Sequence, residues 1–367
     1  MTVSTVAILS MVLVGGTARA LDTGDAVPSV AAFDVQALPT PAVAARPIES
    51  GRLESPGADV GSLAASVLDW ASDSGAPAPP AERVRPAPEM GSAVNSSWSV
   101  QVVSGVAYTS RETLDIYVPG GPGPHPTVVL VRGGPSGDGG RAYLGSFASE
   151  LAASGLLVFN ADYRDTGSTG GGYPAAFQDV ACAIRYARAQ AERYGGEGSM
   201  VTLVGHSLGG WVGSVVALNS KEFTGGCQAD GSGRPDAFVG LAGNYDLDAG
   251  GGVGRDLSVF FDGSAAQTAA ARSASDPLKY VAASKIPIRL VAGTADGTVD
   301  PSASTKLNAL LVNRGWNVGL TLVPGANHTS ILWTSYGGGS LGAIFSAFAA
   351  ARSAADATDA VRGRLGQ

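Results

Sequence analysis

The feature that most constrains the fold of this 367-residue chain is a series of short, uninterrupted apolar runs that begins after Trp98. Uninterrupted runs are typical of parallel strands that other elements cover on both faces, whereas a strand with one wet face alternates. Two earlier segments, 99–104 and 112–118, do alternate and predict half-exposed antiparallel strands. The later runs are Thr127–Val131, Leu156–Phe159, Val201–Val204, Phe238–Leu241, Ile288–Val291 and Leu320–Val323.

Helical patterns separate these runs. The clearest follows Pro174, where apolar residues from Phe177 to Ala191 recur at intervals of three and four, and Gly195-Gly196 supplies a stop. Strand and helix in alternation predict a three-layer α/β domain over residues 98–355, with a mostly parallel central sheet and helices on both faces. Residues 356–367 are then a C-terminal tail.

The first 97 residues have a different character. Residues 1–20 have an apolar middle (Val6–Val14), too short to span a membrane comfortably, and end in Ala18-Arg19-Ala20, a pattern that signal peptidase cleaves. We therefore expect a secretory signal, a secreted protein and no membrane span in the mature chain; an uncleaved anchor is the alternative. Residues 21–97 hold ten of the 21 prolines and predict a disordered Pro/Ala-rich linker.

Charge and cysteine content narrow the function further. The net charge is −7 and no cluster of Lys and Arg occurs, which argues against non-specific nucleic-acid binding. The chain has two cysteines, Cys182 and Cys227, and export would place them in an oxidising compartment. A Cys182–Cys227 disulfide is the hypothesis, and two buried free thiols are the alternative.

The run Val201–Val204 leads into Gly205-His206-Ser207-Leu208-Gly209, and a helical pattern follows. A serine on such a strand-to-helix corner takes strained backbone angles, and glycines two residues to either side relieve the crowding. The helix N-terminus behind it offers the backbone N–H of Leu208 to an oxyanion. This context predicts that Ser207 is a nucleophile.

A serine hydroxyl needs a base to accept its proton. The chain has three histidines: His125 lies among prolines before a strand, and His206 lies within the corner itself. His328 lies on a loop beyond the last apolar run, at the sheet edge where sites form, and is therefore the predicted base.

The orienting acid is predicted on the loop that follows Ile288–Val291. Asp296 lies close to the strand end and is preferred; Asp300, four residues deeper, is the alternative. The chain order Ser207, Asp296, His328 is the order in which the residues of a triad follow one another in this type of fold.

Taken together, these motifs resemble the α/β-hydrolase superfamily, in its carboxylesterase and feruloyl-esterase-like (BD-FAE-like) branch, over most of residues 98–352. The features that carry the resemblance are the loop Arg132-Gly133-Gly134-Pro135, Asp162-Tyr163-Arg164, the helix 174–195, Gly205–Gly210, Asp276-Pro277-Leu278 and the Asp296/His328 pair.

The resemblance implies a serine ester hydrolase that needs no cofactor or metal. In the family the loop usually reads His-Gly-Gly-x, and the second glycine and the next residue donate N–H groups. Here Arg132 replaces the histidine, and Pro135 has no N–H to donate. Gly134 and Leu208 are therefore the two expected oxyanion donors.

One rival motif occurs. Gly137–Ala142 matches Gly-x-Gly-x-x-Ala, and Asp162 follows 20 residues later, as in a dinucleotide-binding fingerprint. However, Arg132–Ser136 separate it from its strand, and it leaves the triad unexplained.

We expect a small-molecule ester with a short acyl or small aromatic group as substrate, because little chain is left between the strands for a large lid. A serine peptidase, a thioesterase or a non-catalytic exported binding protein remain alternatives.

Overall fold

The computed structural model describes residues 98–134, 140–165, 171–219, 221–247, 260–261, 265–279, 285–333 and 339–365. The chain divides into two units, Met1–Ala87 and Pro88–Gln367, and all described residues belong to the second. The predicted signal segment 1–20 and the linker 21–97 lie outside the described residues.

The second unit is built on one eight-stranded sheet with the order β1-β2-β4-β3-β5-β6-β7-β8. β1 and β2 form an antiparallel hairpin, β2 is antiparallel to β4, and the six strands from β3 to β8 run parallel to one another. The strands are β1 (Val100–Ala107), β2 (Thr113–Pro119), β3 (His125–Val131), β4 (Leu157–Ala161), β5 (Gly196–His206), β6 (Ala237–Leu241), β7 (Ile288–Gly293) and β8 (Val318–Val323).

Helices cover both faces of this sheet. The helices are α1 (Gly145–Ala153), α2 (Ala175–Gln190), α3 (Leu208–Leu218), α4 (Ala265–Ala274), α5 (Ser302–Asn313) and α6 (Gly339–Leu365). One buried cluster joins the sheet to α2, α3 and α5, and another joins it to α1 and α6. The prediction of a three-layer α/β fold is confirmed.

Strand burial explains the apolar runs. Every residue of β4 and β6 is buried, since helices cover both faces of the central strands. Along β3, Val129 and Val131 belong to one cluster, whereas Val128 and Leu130 belong to the other, as the alternation of side chains in a strand requires. The carboxyl ends of the parallel strands meet at one edge of the sheet.

The last helix crosses the domain end that is predicted at residue 355. α6 runs without interruption from Gly339 to Leu365, so residues 356–365, predicted as a C-terminal tail, continue this helix. Alanine and arginine, which favour helix, are frequent across the boundary, and no proline interrupts it. None of the helices within the described ranges is long and apolar enough to cross a membrane.

A disulfide joins Cys182 in α2 to Cys227 in the segment before β6. Two arginines of α2 bind the same segment: Arg185 donates to Glu222 and to the carbonyls of Phe223 and Gly231, and Arg188 pairs with Asp236. Arg185 is buried although it lies off the apolar stripe of α2. The segment is thus fixed to the helix by covalent and ionic contacts.

Candidate active site

Ser207 occupies the corner between β5 and α3. Its φ of 55° lies in the left-handed region, which is unusual for a residue other than glycine. A Cβ at Gly205 would lie 2.3 Å from the carbonyl oxygen of Gly209, and one at Gly209 would lie 2.3 Å from that of Arg132. Only glycine fits at either position, because the obstructing atoms are backbone.

The structure brings the three predicted triad residues together. His328 Nε2 lies 2.9 Å from Ser207 Oγ, and His328 Nδ1 lies 2.8 Å from Asp296 Oδ2. The three residues come from the carboxyl ends of β5, β7 and β8, although up to 121 positions separate them in sequence. Both nitrogens of one imidazole therefore face the groups that a base and its orienting acid require.

Asp296 is held as a carboxylate. Its Oδ1 accepts hydrogen bonds from the N–H groups of Thr298 and Val299, at 2.8 and 3.0 Å. Burial raises the pKa of Asp296, but the hydrogen bonds from His328, Val299 and Thr298 outweigh it and hold that pKa below its ordinary value. Asp300, the alternative acid, is exposed and accepts a hydrogen bond from the N–H of Ser302 instead.

His206 forms a hydrogen bond to the backbone of His328. Its Nε2 lies 2.9 Å from the carbonyl oxygen of His328, and the two rings are 4.9 Å apart. Burial, with the adjacent His328, lowers the pKa of His206 to about 4, so the ring is neutral at pH 7 and donates through Nε2. Its Nδ1 has no hydrogen-bond partner among the described residues, and Tyr143 stacks on the ring.

The loop after β3 lies against the nucleophile. A Cβ at Gly133 would be 2.5 Å from Ser207 Cβ and 3.1 Å from its Oγ. Gly134, one of the two predicted donors, follows with a φ of 75°. Leu208, the other, is the first residue of α3 and is buried beside Ser207. Pro135 lies outside the described residues.

Arg132 is the centre of an ion-pair network beneath this loop. Its Nη2 donates to the fully buried Asp165 at 2.7 Å, and its Nε donates to Asp162 at 3.3 Å. Its Nη1 donates to the carbonyls of Gly133 and Gly134, at 3.2 and 3.0 Å. The guanidinium also lies over the ring of Tyr163.

The neighbouring Asp162-Tyr163-Arg164 segment makes its contacts within the protein. Arg164 forms a two-point contact with Asp179 of α2, and the hydroxyl of Tyr163 donates to the carbonyl of Arg132. The carboxylate of Asp162 accepts from Arg132 and from the backbone and side chain of Arg141. It is therefore engaged within the protein, which argues against the dinucleotide fingerprint, where this position binds a ribose.

Two contributors were not predicted from the sequence. Arg132, which binds the loop, is itself bound by Asp162 and Asp165. These aspartates reach Arg132 only because β3 and β4 are neighbours in the sheet. The hydrogen bond from His206 to the loop of His328 likewise spans 122 positions. A signal for Arg132 existed in the replacement of the family's histidine. No signal singled out His206. No cluster of His, Cys, Asp or Glu within the described residues could hold a metal ion.

The sheet topology, the corner at Ser207 and the three strand-end residues define an α/β-hydrolase fold. Comparison with known families makes this more specific. The BD-FAE family model matches residues 114–311, more than half of the chain, and the chain belongs to this family.

Relatives and solved structures agree with this assignment. The chain is 32% identical to esterase LipC of Mycobacterium tuberculosis over 126 residues, which cover 34% of this chain and 31% of that protein. It is 29% identical to a probable isoprenylcysteine alpha-carbonyl methylesterase of Oryza sativa subsp. japonica, over 41% of this chain and 37% of that protein. The matches thus span about a third of the length of these curated relatives.

Two solved structures share the fold. A truncated carbohydrate esterase from gut microbiota superposes with a TM-score of 0.57 at 22% identity, covering 66% of this chain and 94% of that one. Esterase B from Lactobacillus rhamnosis superposes with a TM-score of 0.58 at 18% identity, covering 71% and 89%.

Proposed function

We propose that this protein is a carboxylic-ester hydrolase in which Ser207 is the nucleophile, His328 the general base and Asp296 the orienting acid. The observation that carries the proposal is the continuous pair of hydrogen bonds from Ser207 Oγ through His328 to Asp296, at 2.9 and 2.8 Å. The esterase names of the relatives and of the structures with the same fold support it.

The first half of the cycle is acylation. Ser207 Oγ attacks the ester carbonyl carbon while its proton passes to His328 Nε2, and Asp296 stabilises the imidazolium that forms. The negative charge that develops on the carbonyl oxygen is stabilised by the N–H groups of Leu208 and Gly134. His328 then gives its proton to the leaving alkoxide, and the alcohol departs.

The second half is deacylation. A water molecule gives a proton to His328 and attacks the acyl carbon, and the same two donors bind the oxyanion again. The bond to Ser207 Oγ breaks, the proton returns to that oxygen, and the carboxylic acid leaves. The bonds made and broken balance with one water consumed for each ester cleaved.

The proposal also covers the substrate range, export and the domain organisation of the chain. We propose short-acyl or small aromatic esters as substrates. We also propose that residues 1–20 direct export, that 21–97 form a linker, and that the catalytic domain begins near Trp98. An export signal suits the disulfide between Cys182 and Cys227.

Removal of the nucleophile tests the assignment. Ser207→Ala is expected to abolish hydrolysis of p-nitrophenyl acetate and labelling by a fluorophosphonate probe, while the circular dichroism spectrum stays unchanged. Ser214→Ala is the matched control: Ser214 is buried in the same helix and donates to the carbonyl of Trp211, away from the triad. Activity retained by Ser207→Ala would refute the assignment.

Two experiments separate the alternatives. A wild-type protein that the fluorophosphonate probe does not label would be a non-catalytic binding protein on this fold. If the probe labels it, initial rates on matched ester, thioester and peptide substrates distinguish an esterase from a thioesterase or a peptidase. We expect the ester to react fastest, with a maximum at short acyl chains.

A further inference from the structure

We propose that Arg132 is a positioning residue that orients the oxyanion donor Gly134. This inference rests on the proposed function, since it assigns the element that aims one of the two N–H groups. Arg132 is buried, and its guanidinium donates to the carbonyls of Gly133 and Gly134 in the loop that lies against Ser207.

The geometry of the peptide unit connects the guanidinium to the donor. The peptide bond between Gly133 and Gly134 is trans, so the carbonyl of Gly133 and the N–H of Gly134 point in opposite directions. Arg132 Nη1 binds that carbonyl at 3.2 Å. The guanidinium therefore fixes the direction of the Gly134 N–H, which lies in the same peptide plane as the carbonyl and points the opposite way.

The second contact of Arg132 Nη1 is with the next peptide unit, which has no N–H group to donate. Arg132 Nη1 also binds the carbonyl of Gly134 at 3.0 Å, and the nitrogen of that unit is Pro135. Because proline lacks an N–H, the loop supplies one N–H where the family usually has two. The orientation of the remaining N–H consequently matters more than it would with a second donor beside it.

The loop by itself has little to resist rotation. Gly133 and Gly134 have no side chains, and glycine explores more backbone conformations than any other residue. What opposes rotation is the buried network: Asp165 and Asp162 hold the guanidinium from below, and the guanidinium holds both carbonyls. The replacement of the usual histidine by arginine thus supplies a fork that reaches two carboxylates and two carbonyls together.

Direct contact of Arg132 with a substrate is a poor alternative. Four of its five N–H groups already donate to protein atoms, and the side chain is buried. Its positive charge is matched by the carboxylates of Asp162 and Asp165. Its influence on the reaction therefore passes through the backbone of the loop.

The test compares Arg132→Ala with Arg164→Ala. Arg164 also forms a partly buried ion pair, with Asp179, and within the described residues it makes no hydrogen bond to Gly133 or Gly134. We expect Arg132→Ala to lower kcat for p-nitrophenyl acetate about 10²-fold with little change in KM, because removal or misalignment of one oxyanion donor acts on the transition state. Arg164→Ala is expected to lower the thermal midpoint and leave kcat near the wild-type value.

Chemical rescue and hydrogen exchange add readouts that a purely structural role would not change. Guanidinium at low millimolar concentration should restore part of the kcat of Arg132→Ala in a saturable manner and leave Arg164→Ala unaffected. Amide exchange in a peptide that contains Gly133 and Gly134 should accelerate in Arg132→Ala, but not in Arg164→Ala. Should Arg132→Ala fail to fold, Arg132→Lys is measured, for which we expect reduced kcat at unchanged KM, because one nitrogen cannot reach all four partners.

The outcomes are distinguishable. A folded Arg132→Ala or Arg132→Lys with wild-type kcat, or with loss in KM alone, overturns the role of Arg132 while the proposed function stands. A wild-type protein that is inert towards esters and towards the fluorophosphonate probe overturns the proposed function, and this inference with it.

Discussion

The corner at Ser207 and the loop at Gly133-Gly134 face each other across the site, but they are held in different ways. At the corner, backbone atoms leave no space for a Cβ at Gly205 or Gly209, and β5 and α3 fix the chain on either side. In the loop, the two glycines are held by the side chain of Arg132 and its buried aspartates. The backbone therefore determines where the nucleophile lies, whereas a side-chain network determines where an oxyanion donor points.

The largest effect is expected from a substitution at the corner of Ser207, where the backbone fixes the nucleophile. In Gly209→Ala the new Cβ would lie 2.3 Å from the Arg132 carbonyl oxygen and 2.5 Å from that of Val131, so the corner and the end of β3 cannot both keep their places. We expect little folded protein and no activity, measured by soluble yield, circular dichroism and fluorophosphonate labelling. The control is Gly342→Ala at an exposed position of α6, where a Cβ meets nothing within 4 Å and alanine should stabilise the helix by about 0.5–1 kcal/mol.

The second prediction concerns the orienting acid, Asp296. Like Ser207, it is held in place by the backbone, here through hydrogen bonds from N–H groups. Asp296→Asn keeps the shape of the side chain, but its amide cannot stabilise the imidazolium and favours the wrong tautomer of His328. We expect kcat to fall about 10⁴-fold with the fold retained. Asp300→Asn is the matched control, since Asp300 is exposed and bonds to Ser302 instead. A greater loss in Asp300→Asn would transfer the role to the deeper aspartate.

The third prediction concerns the disulfide, a covalent side-chain contact that lies outside the triad. Replacement of both Cys182 and Cys227 by serine should lower the free energy of unfolding by about 2–4 kcal/mol, because the bond closes a long loop. The activity of the folded variant should not change. Denaturant unfolding of the wild type with and without reductant gives the control, and identical curves would contradict a disulfide. So would alkylation of both thiols in the unreduced protein, read by mass spectrometry.

The last expected effect is a pH dependence of stability at His206. Its pKa is about 4 in the folded protein and near 6.5 when exposed, so between these values the unfolded chain binds a proton that the folded protein does not. This contribution therefore destabilises the fold as pH falls from 6.5 to 4, by an amount on the order of 3 kcal/mol at the lower end. His206→Gln should flatten the dependence in this window.

A second group titrates in the same range with the opposite sign. Burial, together with Asp179 and Asp162, raises the pKa of Glu112 to about 7. The folded protein then holds a proton that the unfolded chain releases, and stability falls as pH rises from about 4.5 to 7. The difference between wild type and His206→Gln isolates His206, because Glu112 is common to both. Equal slopes in the two proteins would contradict the assignment.

Most of the fold could be predicted because its signals are local. The apolar run of each parallel strand lies within or overlaps the strand that the structure contains, and Phe177, Val180, Ile184 and Ala187 are buried along α2 as their spacing indicates. The triad residues could be chosen because strand ends share one edge, so a serine, an aspartate and a histidine after three strands are brought together by topology. The catalytic roles themselves remain predictions.

The remainder depends on contacts that sequence spacing does not encode. Arg132 meets Asp162 and Asp165 only through the pairing of β3 with β4, and His206 meets the His328 carbonyl only through the order of the sheet. Arg185 is buried because polar partners from the disulfide-linked segment surround its head group, which its place beside the apolar stripe did not indicate. α6 continues past the predicted domain end at residue 355, where the sequence contains no stop signal for a helix.

The left-handed backbone of Ser207 also limits the evolutionary changes that are open to this position. Threonine would keep the hydroxyl, yet its branched Cβ strongly disfavours a φ of 55°. Cysteine has an unbranched Cβ and fits the same angles with a different nucleophilic atom. Evolutionary drift at this corner can therefore replace the oxygen by sulfur more readily than it can add a methyl group to Cβ. A descendant with a cysteine nucleophile is accordingly more compatible with this backbone than one with a threonine nucleophile.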